Sequence, residues 1–152
     1  MAKILILIGS DSDREYLQGT ETLATFFGLE VETQVLSAHR DPARLRERLS
    51  RLRAEGVQVV VAAAGMAAHL AGVCAAETTL PVIGVPLPSS TLNGLDALLS
   101  TVQMPSGVPV ATVAIGRSGA QNAIVLAARI LALHDGKIAA KLEEFKARGS
   151  RP

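Results

Sequence analysis

Lys3-Ile4-Leu5-Ile6-Leu7-Ile8, followed at once by Gly9-Ser10-Asp11-Ser12-Asp13, decides the fold class. A nearly continuous apolar run of this length is the mark of a strand buried on both faces, as in a parallel sheet, rather than of a half-exposed antiparallel one. Glycine and four polar residues end the run. Over residues 11–27 the spacing then becomes helical, with Tyr16, Thr20, Leu23 and Phe27 recurring on one side and Leu17 and Ala24 beside them. A strand feeding a helix through a short polar turn is the first half of a βαβ unit.

The same alternation continues along the chain. Residues 30–35 place Val31, Thr33 and Val35 at the strand period. Pro42 then opens a helix with Leu45, Leu49 and Leu52 on one face and arginines at 44, 46, 48, 51 and 53 on what is expected to be a solvated face. Residues 57–63 and 82–85 read as the third and fourth strands, with helices over 67–77 and 94–103 after them. A fifth strand over 110–115 leads into an alanine-rich helix over 119–133, and a more charged helix over 137–148 ends the chain. The pattern predicts one α/β domain spanning residues 1–152 with its core at about 3–134. The sheet is expected to have five parallel strands in the flavodoxin-like order 2-1-3-4-5, doubly wound in three layers. The terminal helix has no evident place in that core and is expected to pack on a neighbouring subunit.

With 152 residues, 49% of them hydrophobic, there is material for one core and too little length for two ordinary domains. A net charge of +1 lacks the basic footprint that nucleic acid demands, so none is expected as a partner. The apolar N-terminal run is too short to span a membrane and carries no signal-peptide cleavage pattern. Cys74, the lone cysteine, lies among small apolar residues, reads as a buried hydrophobe and suits a cytoplasmic setting. Aromatic residues are only 3%, and a chain rich in alanine, glycine, valine and leucine lets subunits approach closely; a homo-oligomer is expected.

Ligands of open parallel sheets bind beyond the carboxyl ends of the strands, where loops converge and helix N-termini point. Three loops there are rich in polar chemistry. Gly9-Ser10-Asp11-Ser12-Asp13 reads two ways, as a phosphate cradle or as a capped helix start. It has neither the Gly-Lys-Ser/Thr of a Walker loop nor a GxGxxG, so a mononucleotide suits it better than a dinucleotide. Ser37-Ala38-His39-Arg40 offers a hydroxyl, a titratable imidazole and a guanidinium within four residues, although a loop histidine and a surface arginine would look the same in isolation. What singles it out is that strand two should lie beside strand one, which brings imidazole and phosphate loop together. Ala64-Gly65-Met66-Ala67-Ala68-His69 supplies a second histidine, a polar contact or a structural residue. His134, beside Asp135, reads as a helix-end or surface residue. No metal-ligand spacing and no GxSxG elbow appear.

At these loops the chain resembles the class I PurE family, the N5-carboxyaminoimidazole ribonucleotide mutases of de novo purine biosynthesis. The resemblance is carried by Gly9-Ser10-x-Ser12-Asp13, Ser37-Ala38-His39-Arg40-x-Pro42, Ala64-Gly65-x-Ala67-Ala68-His69-Leu70, Gly84-Val85-Pro86, Leu92-x-Gly94-x-Asp96, Gln103-Met104-Pro105-x-Gly107-Val108-Pro109-Val110 and Asn122-Ala123, in order. It implies a homo-octamer and an isomerisation without ATP, biotin or metal. The substrate would lose its N5-carboxylate as CO2 and regain it on the ring carbon. His39 would be the general acid and base. Ser10, Ser12, Ser37 and Arg40 would hold phosphate and Asp13 the ribose, with Gly65, Ala67, Ala68, His69 and Leu70 lining the pocket around the imidazole ring and CO2. Met66 stands where the family usually has a second glycine, Ala71 where it has proline, Asp41 where threonine is common and Arg14 where tryptophan is frequent. The alternatives are a direct carboxylase of aminoimidazole ribonucleotide using CO2, which the Ala67-Ala68-His69-Leu70 pattern disfavours, and a non-catalytic nucleotide-binding module, which would need the Gly9 loop but not His39. A related carboxylase domain acting on a nicotinic acid adenine dinucleotide normally carries an N-terminal extension.

Overall fold

The computed structural model describes residues 1–152. Five strands, β1 (Ala2–Ile8), β2 (Leu29–Val35), β3 (Val57–Gly65), β4 (Val82–Leu87) and β5 (Ala111–Thr112), form one sheet in the order β2-β1-β3-β4-β5, with every pairing parallel. The order is the expected one, and its cause is visible in the side chains. Ile4 to Ile8 of β1 are at most 1% exposed and all of β4 is buried, which requires helices on both faces.

The helices are α1 (Thr20–Phe27), α2 (Pro42–Ser50), α3 (Leu70–Glu77), α4 (Leu95–Val102), α5 (Arg117–Leu131) and α6 (Gly136–Ala147). Residues Asp11–Leu17, expected to continue into α1, instead form a 3-10 segment. Gly19 separates the two with φ 87°, and a side chain there would run into the Gln121 amide at 2.6 Å. At the sheet edge, β5 keeps only two of the six expected residues. It has a single hydrogen-bonding neighbour, β4, and nothing beyond it extends the ladder.

Two further expectations are corrected. α6 packs against its own chain: Ile138 and Phe145 enter the core cluster below α1 and α5, and the Phe145 ring lies 5.2 Å from Phe27 and 5.9 Å from Phe26. All three phenylalanines of the chain meet there, which gives the helix a partner that composition alone obscures. Arg48, assigned to a solvated face, is 6% exposed. Its guanidinium donates to Gln34 Oε1 at 2.9 Å, Glu55 Oε2 at 2.7 Å and Glu32 Oε1 at 3.0 Å, tying α2 to the edge strand β2.

Register positions the loops. Ile8 of β1 stands opposite Val35 of β2 and Ala63 of β3, so the turns after three adjacent strands rise from nearly one level. No helix is long and apolar enough to cross a membrane.

Candidate functional site

After β1 the chain folds back on itself. The Ser10 N–H donates to Asp13 Oδ2 at 3.0 Å and the Asp13 N–H donates to the Ser10 carbonyl at 3.1 Å. The capping reading of this loop holds at Asp13, and the Ser10 and Ser12 hydroxyls, 3.0 Å apart, stay on the exposed side. Asp13 itself is 5% exposed. Burial pushes its carboxyl above the ordinary aspartate value, and the Ser10 and Gly9 N–H groups pull the other way.

After β2, Leu36 is buried and the chain turns sharply. Ser37 governs that turn: its Oγ accepts from the Arg40 N–H at 3.1 Å and its carbonyl from the Asp41 N–H at 3.0 Å. Two side chains of this turn, His39 and Arg40, are exposed and line a cleft shared with Ser10 and Ser12. Pro42 then starts α2 at the first helical position, where its missing N–H costs nothing.

After β3 the helix does not begin at residue 67 as expected but at Leu70. Residues 66–69 make two successive three-residue turns instead, with the Ala68 N–H donating to the Met66 carbonyl at 2.9 Å and the His69 N–H to the Ala67 carbonyl at 2.8 Å. Met66 has φ 55°, in the left-handed region that suits glycine, and its side chain is 62% exposed. The turns carry His69 over to His39. Nε2 of His39 lies 2.6 Å from Nδ1 of His69, with the rings edge to face and their centroids 4.8 Å apart. A nitrogen-to-nitrogen hydrogen bond holds one proton, so the two imidazoles cannot both be cations in this arrangement.

These loops enclose an open cleft of about 560 Å³. Of the residues singled out in the sequence, Ser10, Ser12, Asp13, Ser37, His39, Arg40, Gly65, Ala67, His69 and Leu70 line it. Ala68 does not: it is 2% exposed and faces the interior beneath its loop. Ser89, from the loop after β4, also lines the cleft, and no sequence pattern marks it. A Cβ built on Gly65 would lie 1.6 Å from the Ser89 Oγ, so the absence of a side chain at Gly65 is what admits the serine. His134 is exposed just beyond the far end of α5, away from the cleft. No three His, Cys, Asp or Glu side chains converge as a metal-binding group.

The cleft thus brings together two serine hydroxyls and a guanidinium, a buried carboxyl and a hydrogen-bonded pair of imidazoles. Comparison with known proteins points the same way. The family model described as AIR carboxylase matches residues 3–151. The N5-carboxyaminoimidazole ribonucleotide mutase of Saccharolobus solfataricus is 49% identical over 145 residues, covering 95% of this chain and 90% of its own. The protein of the same name from Bacillus subtilis is 50% identical over 139 residues, covering 91% and 86%. Among solved structures, PurE of Treponema denticola has a TM-score of 0.88 at 28% identity, covering 99% of this chain and 92% of its own.

Proposed function

Since this chain belongs to the AIR carboxylase family, we propose that it is an N5-carboxyaminoimidazole ribonucleotide mutase, an isomerase of purine biosynthesis that moves a carboxylate from the exocyclic nitrogen to the ring carbon of its substrate. The observation that carries the reading is the His39–His69 contact beside the Ser10, Ser12, Ser37 and Arg40 side chains, in one cleft. A ribonucleotide brings a phosphate for the serines and the Arg40 fork, and ribose hydroxyls for Asp13. That leaves the imidazole ring of the substrate at the histidine pair.

The reaction then balances on one residue. His39 gives a proton to the exocyclic nitrogen as the N–C bond breaks and CO2 departs, leaving a neutral amine. The ring carbon attacks CO2, and the proton displaced from that carbon returns to His39, so the enzyme ends as it began. An imidazole suits this double duty because its ordinary pKa lies near neutrality. The loop of Gly65, Met66 and Ala67 walls the pocket in which CO2 stays close to its acceptor.

The setting follows from the same surfaces. A homo-oligomer, an octamer on the family pattern, agrees with a bare apolar stripe on α4, where Leu95 and Leu99 are more than half exposed. A cytoplasmic location agrees with Cys74, a free thiol that burial pushes up to about 12 and so keeps unreactive.

The test is turnover by the purified protein with chelator present and ATP absent, followed as conversion of the N5-carboxy to the 4-carboxy isomer. Replacing His39 by Asn is expected to lower kcat by about 10²-fold or more. An unchanged rate in His39→Asn refutes the proton role. Turnover of aminoimidazole ribonucleotide only at high bicarbonate makes the protein a direct carboxylase, and affinity without turnover makes it a binding module.

A further inference from the structure

The loop that carries His69 has little to hold it. Its backbone bonds are the two three-residue turns, whose bent geometry grips less firmly than a helical bond, and at its end the Val73 N–H donating to the His69 carbonyl at 3.0 Å, which leaves residues 66–68 without a helical bond of their own. Met66 adds a left-handed backbone that a residue with a Cβ adopts only when its surroundings impose it. Something outside the loop must impose it.

Ser100, on α4, is in the right place. Its hydroxyl donates to the Asp96 carbonyl one turn back at 2.5 Å, which fixes the rotor and leaves the oxygen lone pairs to accept from the loop. The Ala68 N–H donates to that oxygen at 3.2 Å, and the Met66 carbonyl lies 3.4 Å from it. One atom therefore touches the residues on either side of Ala67, and the next residue after Ala68 is His69. Apart from the histidine pair itself, this is the side-chain hydrogen bonding that joins residues 66–69 to another element. Ser100 itself does not line the cleft.

We propose that Ser100 is a positioning residue for the proton-transfer pair, its hydroxyl setting the backbone at Ala68 and thereby holding His69 Nδ1 within reach of His39 Nε2. The proposal rests on the mutase reading of the cleft for its kinetic consequence, but its geometric content is independent of that reading.

The test uses the full-length protein with Ser100→Ala and Ser100→Thr. Two measurements are made across a range of pH: kcat and KM for the isomerisation, and the NMR titration of the histidine imidazoles. His134, exposed and remote, serves as the internal reference. Loss of the hydroxyl is expected to lower kcat about tenfold, since a small misplacement of a reacting group is costly, with KM nearly unchanged and the pH–rate profile displaced. The His39 and His69 signals shift together in Ser100→Ala while that of His134 stays, and Ser100→Thr restores both signals and rate. The proposal is overturned if Ser100→Ala keeps the wild-type pH profile and histidine titrations, or if all three histidines move alike and threonine rescues nothing. A wild-type protein without isomerase activity refutes the mutase reading instead, and the histidine titrations still decide whether Ser100 sets the pair.

Discussion

Asp13 keeps its carboxyl where burial works against the charge. Its folded-state pKa is raised, so the folded protein holds that proton to higher pH than the unfolded chain does, and stability falls as pH rises from the unfolded value of 3.8 through the raised one. Asp13→Asn, which keeps an oxygen to accept from the Ser10 N–H, is therefore expected to raise the Tm at about pH 7, with the gain vanishing near pH ~3, where both forms are neutral. Thermal melts at the two pH values check it, and a higher KM for the ribonucleotide should accompany the gain. At this scale much of the site is legible in the sequence. A histidine, an arginine and three serines that all follow parallel strands declare themselves by residue type and place. Ser89 does not, because a serine after Pro88 looks like any turn residue, and only its fit against Gly65 reveals it. Nor does the strain at Met66: a sequence shows a bulky side chain, whereas the sign of φ depends on the turns around it.

Among the elements, α2 shows how residue type misleads. Arg48 stands three residues after Leu45 and four before Leu52, at the edge of the Leu45-Leu49-Leu52 stripe, and only its charge assigns it to water. Yet β2 at the sheet edge presents Glu32 and Gln34 to it, and Glu55 closes from the far side. Lys3 foremost, with Arg48 after it, holds the Glu32 carboxyl below its ordinary value. That contribution is present above the unfolded pKa of 4.5 and is lost as pH falls through the lowered folded one. Arg48→Met keeps the apolar stem and removes the charge; because the two carboxylates it leaves are over a third exposed and can rehydrate, the expected cost is only about 1–2 kcal/mol at neutral pH. Urea titrations should show the difference shrinking in acid. The terminal helix misleads for a related reason. Its lysines and glutamates suggest a free surface element, but Ile138, Leu142 and Phe145 share one side at helical spacing and meet the other two phenylalanines. The strand order, by contrast, is readable, since long apolar runs permit few other arrangements.

For the molecule as a whole, the small-residue composition points to an assembly, but the bare surface is built from leucine. Leu92, Leu95, Leu99 and Val102 are all 46% or more exposed, and Leu95 and Leu99 directly precede Asp96 and Ser100. For the homo-oligomer proposed above, Leu99→Glu is expected to give smaller species in sedimentation velocity and lower activity, while the far-UV circular dichroism of the chain stays unchanged. The sheet also has unequal covers. The cluster beneath α1, α5 and α6 contains 21 buried residues and the one beneath α2 and α3 contains 13. The turns bearing His39 and His69 lead into the thinner of the two. Local opening follows the least buried units, so amides of α2 and α3 should exchange with deuterium before those of α5, and bound ribonucleotide should slow the first group more than the second. The turns bearing His39 and His69 are thus expected to open before the Ser10–Asp13 turn that leads into the thicker side, and bound ribonucleotide is expected to quiet them.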